Sequence, residues 1–476
     1  MLPAVALLLV AQAPSSTPVP TPVNELSDAV KKVAEVMARV EAEAADRVDS
    51  GAMIYGGAIP GMLRVLDPHS IFLDPDQYQQ LKEMSNAEQK GFGSIVSILP
   101  GRVFVLQTLP GTPSARSGLA AGDEIVAVNG IPLGGLEPEQ LMQLLSESRR
   151  QPARISVRRS NTPRLLDFQL IPETVAAPSV DRAYLLEPGI GYVRISNFEI
   201  KTADEAKAAI EKLGGTSLKG LVLDLRNNPG GIVEPAMQTA SMFLQPGQRI
   251  LYARGRAKKE EEIKVPNDTS PYTFPVSVVI NGKTASAAEI VSAALQDNHR
   301  AKIFGQRSFG KGLVQSVYPL SQNSGMALTV AFYYSPNGRN IQRPLKNVQL
   351  STETKDGDRG GVKPDGEVDT EAFTRLRGVL DASASFTTFT TEYLRKGPSV
   401  TPQFDVTGPL LDEFRSWLAA RKIQPGVADW SRDVDWIRSR LKQEIFNQAL
   451  GVEKGDEVEA LRDPQVRAAL DAIRQR

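Results

Sequence analysis

The stretch from Gly189 to Gly231 admits few folds. Gly191 to Ile195 reads as a strand, Thr202 to Leu213 as a helix, and Gly220 to Leu225 as an apolar strand running into Arg226-Asn227-Asn228-Pro229-Gly230-Gly231. Strand, helix, strand in that order is a βαβ unit, whose crossover helix must lie on the face of a parallel sheet. A helix from Pro235 to Leu244, a strand with a charged excursion at Lys258 to Glu262, an apolar strand Val276 to Ile280 and a helix beginning near Ser286 extend the pattern.

The chain has room for more than this unit. At 476 residues and about 150 per domain it should hold about three domains. Residues 91 to 173 read as a β-rich module with one helix. Its strands are expected at Ser94 to Ile98, Arg102 to Leu106, Glu124 to Val128, Arg154 to Arg158 and Leu165 to Leu170, and its helix at Pro138 to Leu145. Upstream, Leu26, Val30, Val33, Met37, Val40 and Ala44 alternate steps of four and three, which is a heptad seam suited either to its own domain or to a second chain. Gly56, Gly57, Pro60 and Gly61 are expected to break that helix. Residues 345–366 read as a polar linker or surface loop. Beyond about 370 the chain turns helical, with Leu410, Leu411, Phe414, Trp417 and Leu418 on one face and Val434, Ile437, Leu441 and Ile445 on another. A compact helical appendage is the expectation.

The apolar run Leu2 to Val10, followed by Ala11-Gln12-Ala13 and a Pro/Ser/Thr-rich stretch, has the pattern of an export signal, although no Lys or Arg precedes it. The expected boundaries are a signal-like and Pro/Ser-rich segment at 1–22, a helical region at 23–85, the β-rich module at 86–175, an α/β core at 176–370 and a helical region at 371–476. The fold class is therefore multidomain α/β and α+β.

Composition narrows the chemistry. Lys plus Arg and Asp plus Glu both number 55, so no global charge draws the chain to nucleic acid or an anionic membrane. With no cysteine and two histidines, His69 and His299, thiol nucleophiles, disulfides and thiolate metal sites are excluded, and a His-based triad has two candidates. His69, in Asp67-Pro68-His69-Ser70, reads as a turn residue. Catalysis would fall to Ser, Lys, Asp and Glu.

Two segments carry such groups. Asn281-Gly282-Lys283-Thr284-Ala285-Ser286-Ala287-Ala288-Glu289 sets a serine between an apolar strand and a helix of small residues, where free N–H groups and the helix dipole can hold a developing oxyanion. Taken alone, this segment fits a plain N-cap at Ser286 better than a nucleophile. Phe309-Gly310-Lys311-Gly312 sets a lysine in a glycine-flanked loop. Gly305 to Lys311 also fits the first part of a phosphate loop, but Gly312 stands where a magnesium-binding Ser or Thr is required.

Together these pieces resemble the carboxyl-terminal processing peptidases, or tail-specific proteases, which use a Ser-Lys dyad and carry an inserted PDZ domain. The resemblance rests on Leu66 to Ser70, the PDZ-like Gly118 to Gly130, Leu223 to Gly231, Thr284 to Glu289, Ala294 to Asp297, Phe309 to Gln315, Tyr333 to Arg339 and Gly361 to Asp365, in the family's order over roughly residues 25 to 370. It implies that Ser286 is the nucleophile, that Lys311, 25 positions later, is the general base, and that Gln315 helps position the lysine. It also implies an auxiliary role for Asp297, an oxyanion hole of the Ala287 and Gly231 N–H groups with Gly230 as the competing donor, and no cofactor. Ala288 departs from the family, where serine is common. Gly91-Phe92-Gly93-Ser94 is a variant of the loop that receives a peptide's C-terminal carboxylate.

The resemblance thus implies a serine endopeptidase acting on protein or peptide substrates with free C-termini. Its PDZ domain would add the tail as a strand in a groove lined by Gly93, Ser94, Ile95, Val96, Leu141 and Leu145. A homo-oligomer through the terminal helices, an adaptor protein, no nucleic acid, and an exported location in the bacterial periplasm or cell envelope complete the expectation. The alternative is a catalytically silent PDZ-containing scaffold protein with a peptidase-like core.

Overall fold

The computed structural model describes residues 23–86, 90–99, 102–109, 111–149, 151–159, 162–174, 178–257, 260–345 and 359–475. The export-signal reading lies outside these residues, as do the start of the charged strand and residues 346–358 of the surface-loop reading.

The core is a six-stranded sheet ordered Val180–Glu187, Ile190–Ile195, Gly220–Asp224, Val276–Ile280, Ala301–Gly305 and Gly366–Glu367. The first pair is antiparallel and the rest are parallel. The βαβ unit is as the apolar periodicity predicts, with its helix at Thr202–Leu213. Gly220–Asp224 and Val276–Ile280 are buried along their whole length, which is why they read as nearly continuous apolar runs rather than alternating ones.

One face of this sheet is covered by the helices Thr202–Leu213, Val233–Ser241 and Ala287–Asp297. The other face corrects the expectation of a separate helical appendage. The last helix, Pro464–Arg474, lays Val466, Ala469, Leu470 and Ile473 against Val222 and Val279, and the preceding helix Val452–Arg462 adds Ala460. Each large side chain buried in this way contributes about 1.5–3 kcal/mol, so the C-terminus is a layer of the core. The remaining helices, from Arg375–Ala382 to Val427–Ala449, do form their own apolar cluster around Phe386, Phe389, Phe414 and Trp436.

A second sheet escaped the sequence reading almost entirely. It pairs Ile71–Leu73, Gly325–Tyr334, Arg249–Arg254 and Glu261–Lys264, with Leu313–Pro319 also against Gly325–Tyr334. The short N-terminal strand Ile71–Leu73 thereby joins a sheet made mostly of residues far along the chain.

The β-rich module forms a six-stranded sheet ordered Ser94–Leu99, Arg102–Thr108, Glu124–Val128, Ala153–Arg158 and Leu166–Leu170, with Ile131–Pro132 paired to Glu124–Val128. The helix Pro138–Ser148 runs three residues beyond its expected end. The module also touches the C-terminal helices. Arg102 Nη1 donates to Thr388 Oγ1 at 3.4 Å, and Val452 N donates to Gln107 Oε1 at 3.4 Å.

The N-terminal helix spans Val23–Glu43. Val30, Val33 and Val36 are exposed, so much of the seam faces solvent, while Val33, Val36 and Met37 border a groove shared with Met53 and Ile54. The glycine-proline segment does not end helical structure as expected. A π-helical turn, Ala52–Ala58, leads straight into the α-helix Ile59–Leu66. Pro60 lies in that helix's first turn.

Candidate active site

Ser286 sits between the central strand Val276–Ile280 and the helix Ala287–Asp297, beyond the carboxyl ends of the parallel strands, where α/β sheets bind ligands. Its φ of 53° and ψ of −118° lie outside the usual regions for a side-chain-bearing residue. Such strain costs on the order of 1–3 kcal/mol and survives where neighbouring groups enforce it.

Those groups are visible. Asn281 N donates to Thr284 Oγ1, and that hydroxyl donates to the Leu225 carbonyl at 2.8 Å. Buried Asn228 donates through Nδ2 to the Ile195 carbonyl and accepts from Gly230 N at 2.8 Å, while its own carbonyl accepts from Ala285 N. The loop after Gly220–Asp224 is thereby fastened to the serine turn. A Cβ at Gly230 would lie 2.7 Å from Ser286 Cβ and 2.9 Å from Ala287 N, and one at Gly231 would lie 2.1 Å from the Phe198 carbonyl oxygen. No side chain fits at either position, and both have positive φ.

Glu289 unites the two chemistry-bearing segments. It is fully buried. Its Oε2 accepts from Ser286 N and from Lys311 N, each at 2.8 Å, and its Oε1 accepts from Ser308 Oγ at 2.5 Å and Gly310 N at 2.7 Å. Two amide nitrogens on one oxygen can be no farther apart than twice 2.8 Å, so the serine and lysine backbones are neighbours. Burial pushes the Glu289 carboxyl above its usual range, and the four donors pull against that by favouring the anion. The sequence reading assigns Glu289 no role. The Ser-x-x-Glu spacing at a helix start was the available signal, since such a glutamate reaches back to the N-cap amide.

Burial also holds the Lys311 ammonium below the ordinary lysine range, with the Glu289 charge acting in the opposite sense. Neighbouring N–H groups divide between framework and free donors. Gly230 N is committed to Asn228. Among the described residues, the N–H groups of Gly231 and Ala287 are drawn to no acceptor, and Ala287, as the first helical residue, has no intrahelical partner.

The other expected residues are more scattered. Gln315 donates through Nε2 to the His69 carbonyl at 2.8 Å, so its recorded partner is the Asp67 to Ser70 turn. Asp297 ends the helix that Ser286 begins, about 17 Å away at 1.5 Å per residue. There it pairs with Arg339 and accepts from Asn337 N at 3.0 Å, fixing the far end of the helix without reaching the serine.

In the β-rich module Ser94–Leu99 is an edge strand, open to a further partner on one side. Ile95 is exposed, Val96 is half-buried, and Ser94 Oγ lies 2.7 Å from Ser114 Oγ. Gly93 opens this edge, its carbonyl accepting from Leu109 N. Leu141 departs from its expected place. It is 1% exposed in the module's core, whereas Leu145 is half-buried on the same helix.

The model of peptidase family S41 matches residues 189–368, and a PDZ-domain model matches residues 104–159. The carboxy-terminal-processing protease of Bartonella bacilliformis is 36% identical over 291 residues, covering 60% of this chain and 66% of that protein. The carboxyl-terminal-processing protease of a Synechocystis species is 32% identical over 295 residues, covering 60% and 68%, and the chloroplastic C-terminal processing peptidase of Tetradesmus obliquus is 34% identical over 334 residues, covering 66% and 72%. Among solved structures, a photosystem II D1 C-terminal processing protease is 29% identical with a TM-score of 0.44, covering 71% of this chain and 86% of that one. The matched region is slightly under two thirds of the Bartonella protein and of the Bacillus subtilis protease CtpA, at 66% and 65% of their lengths.

The α/β core and the inserted module thus define a PDZ-bearing chain of peptidase family S41. Within that class, the chain belongs to the family of carboxyl-terminal-processing proteases.

Proposed function

We propose that the protein is a serine endopeptidase in which Ser286 attacks the scissile carbonyl and neutral Lys311 takes the serine proton. The observation that carries this reading is the shared carboxylate, because Glu289 Oε2 binds the amides of both residues. A lysine serves as base only when deprotonated, and its burial favours the neutral amine. The tetrahedral oxyanion would be received by the Gly231 and Ala287 N–H groups. Gly231 is preferred to Gly230 because the Gly230 N–H is already engaged. Proton and charge balance without a cofactor: the serine proton passes to Lys311 and then to the leaving amine, and water repeats the cycle on the acyl-enzyme.

Substrates would be proteins or peptides presenting a free C-terminus, added as a strand to Ser94–Leu99. The protein would act as an exported enzyme in a bacterial periplasm or envelope, as a homo-oligomer through its terminal helices, with access open to an adaptor. The test is cleavage of a peptide with a free C-terminus and a small apolar tail. Wild type should cut it and Ser286→Ala should not. Equal cleavage by both would reject the assignment, and no cleavage by either would favour the scaffold alternative.

A further inference from the structure

The loop that carries the Gly231 N–H is held from two sides. The serine turn holds one of them, because the Leu225 carbonyl accepts from Thr284 Oγ1 at 2.8 Å and Asn227 N donates to Asn281 Oδ1 at 3.0 Å. The other side is held through Arg226, five positions before Gly231. Its guanidinium reaches the start of the last helix, Pro464–Arg474, which covers the opposite face of the sheet from the helix that Ser286 begins.

The Arg226 side chain is 17% exposed, and each nitrogen of its fork is engaged. Nε and Nη2 donate to Asp224 Oδ2 at 3.0 Å and 2.6 Å. Buried Asp224 is itself fixed, since Oδ1 accepts from Arg226 N at 2.8 Å and Oδ2 from the Tyr192 hydroxyl at 2.7 Å. Nη1 donates to Asp463 Oδ2 at 2.5 Å and to Gln465 Oε1 at 3.0 Å. Asp463 divides its two oxygens between separate tasks. Oδ1 caps the last helix, accepting from Gln465 N at 2.8 Å and Val466 N at 3.2 Å, while Oδ2 takes Arg226. Gln465 is fully buried, and its Nε2 donates to the Val368 carbonyl at 2.8 Å, just past the strand Gly366–Glu367. Both residues lie beyond position 368, where the match to the peptidase model ends.

We infer that Asp463 and Gln465 are positioning residues for the oxyanion hole, clamping Arg226 and through it the loop from Leu225 to Gly231. This rests on the reading of the Gly231 N–H as an oxyanion donor. A planar guanidinium held along both edges fixes the backbone that bears it. With Nη1 released, a largely buried charge loses acceptors, and the side chain turns toward water and takes the loop with it. An oxyanion donor acts through its preset position. Its displacement therefore slows the chemical step and leaves substrate binding in place.

Asp463→Asn separates this role from helix capping. Asparagine caps as well as aspartate, so Oδ1 can keep the helix start, while Nδ2 then confronts Arg226 Nη1, donor against donor. kcat should fall about tenfold or more, with KM within about twofold. A peptide aldehyde supplies a second readout. Ser286 Oγ adds to its carbonyl carbon, the serine proton passes to Lys311, and the former carbonyl oxygen enters the hole. The aldehyde should lose affinity in step with kcat, whereas a product peptide that forms no such adduct should keep its affinity within about twofold. Asp463→Ser also retains a capping oxygen but is too short to reach Arg226. It carries the test if Asp463→Asn does not fold, as judged by near-ultraviolet circular dichroism. A folded variant with kcat within twofold of wild type, or an equal loss of affinity for aldehyde and product peptide, would overturn the inference while leaving the dyad standing. A wild type no faster than Ser286→Ala would instead remove the dyad reading, and this inference with it.

Discussion

Replacing Glu289 with glutamine isolates what the buried carboxylate does. The anion accepts four donors, from Ser286 N, Lys311 N, Gly310 N and Ser308 Oγ. An amide offers one oxygen for two of them. If that oxygen faces Ser286 and Lys311, the amide nitrogen confronts the Gly310 N–H. If it faces the other way, the nitrogen confronts two N–H groups. The first orientation wins, and at least one bond to a charged acceptor is lost, at about 1.5–3 kcal/mol. The Ser308 hydroxyl cannot absorb the change freely, because its oxygen already accepts from Val362 N at 2.6 Å. Lowered thermal stability of the core should follow. The diagnostic effect is electrostatic. The Glu289 charge raises the Lys311 pKa against the larger effect of burial, so removing it should lower that pKa further. The acid limb of kcat/KM should move to lower pH by about one unit or less, the scale of one charge acting at side-chain range through protein, even as maximal kcat declines. The assay is peptide cleavage from about pH 5 to 10 for wild type and Glu289→Gln at matched folded fraction. A limb that does not move would mean that the glutamate is already neutral in the native state, and the four-donor argument for an anion would fail.

Further predictions concern stability, recognition and assembly. Lys311 has a folded-state pKa below its unfolded one, so its charge destabilises the fold fully below the folded pKa, and the penalty fades as pH climbs toward the unfolded value. Lys311→Met should therefore be more stable than wild type at pH 7 in a urea titration, with the gain shrinking on the alkaline side. Amidating the C-terminus of a substrate should lower kcat/KM about tenfold or more, the worth of a charged hydrogen bond at the PDZ edge, whereas equal cleavage of acid and amide would refute tail recognition. A chain beginning near Gly51 should form a smaller assembly, with fewer chains per particle, than the full chain by light scattering, because the truncation removes the exposed Val30, Val33 and Val36 on which a second copy would dock. An unchanged number of chains per particle would assign that face to its own domain.

Much of the core was legible because its signals are local. The helix Thr202–Leu213 has the 3.6-residue apolar period, and Val276–Ile280 is apolar except for Ser277 because both faces are covered. Ser286 stood out for the same reason, at the junction of such a strand with a helix of small residues. What failed was partnership. Val466, Ala469, Leu470 and Ile473 make an amphipathic face that says a helix is buried, but not that it lies on Val222 and Val279 some two hundred residues upstream. Gly325–Tyr334 alternates buried and half-buried residues with period two and could have been read as a strand. Its pairing with Ile71–Leu73, which brings the Asp67 to Ser70 turn against Gln315, is a long-range fact that no local pattern encodes. Leu141 lies in the module's core because its helix turns some apolar side chains inward and leaves others half-buried, and the periodicity alone does not tell them apart.

The central claim is that a neutral lysine is the base, and Lys311→Arg tests it most directly. Guanidinium keeps the positive charge and most of the side-chain volume but does not deprotonate in the working range. Cleavage of a free-acid peptide should be measured across about pH 6 to 10 for wild type, Lys311→Arg and Ser286→Ala, each confirmed folded. Wild-type activity should rise through the lowered lysine pKa, and Lys311→Arg should be as inactive as Ser286→Ala at every pH. Substantial cleavage by folded Lys311→Arg would contradict the account.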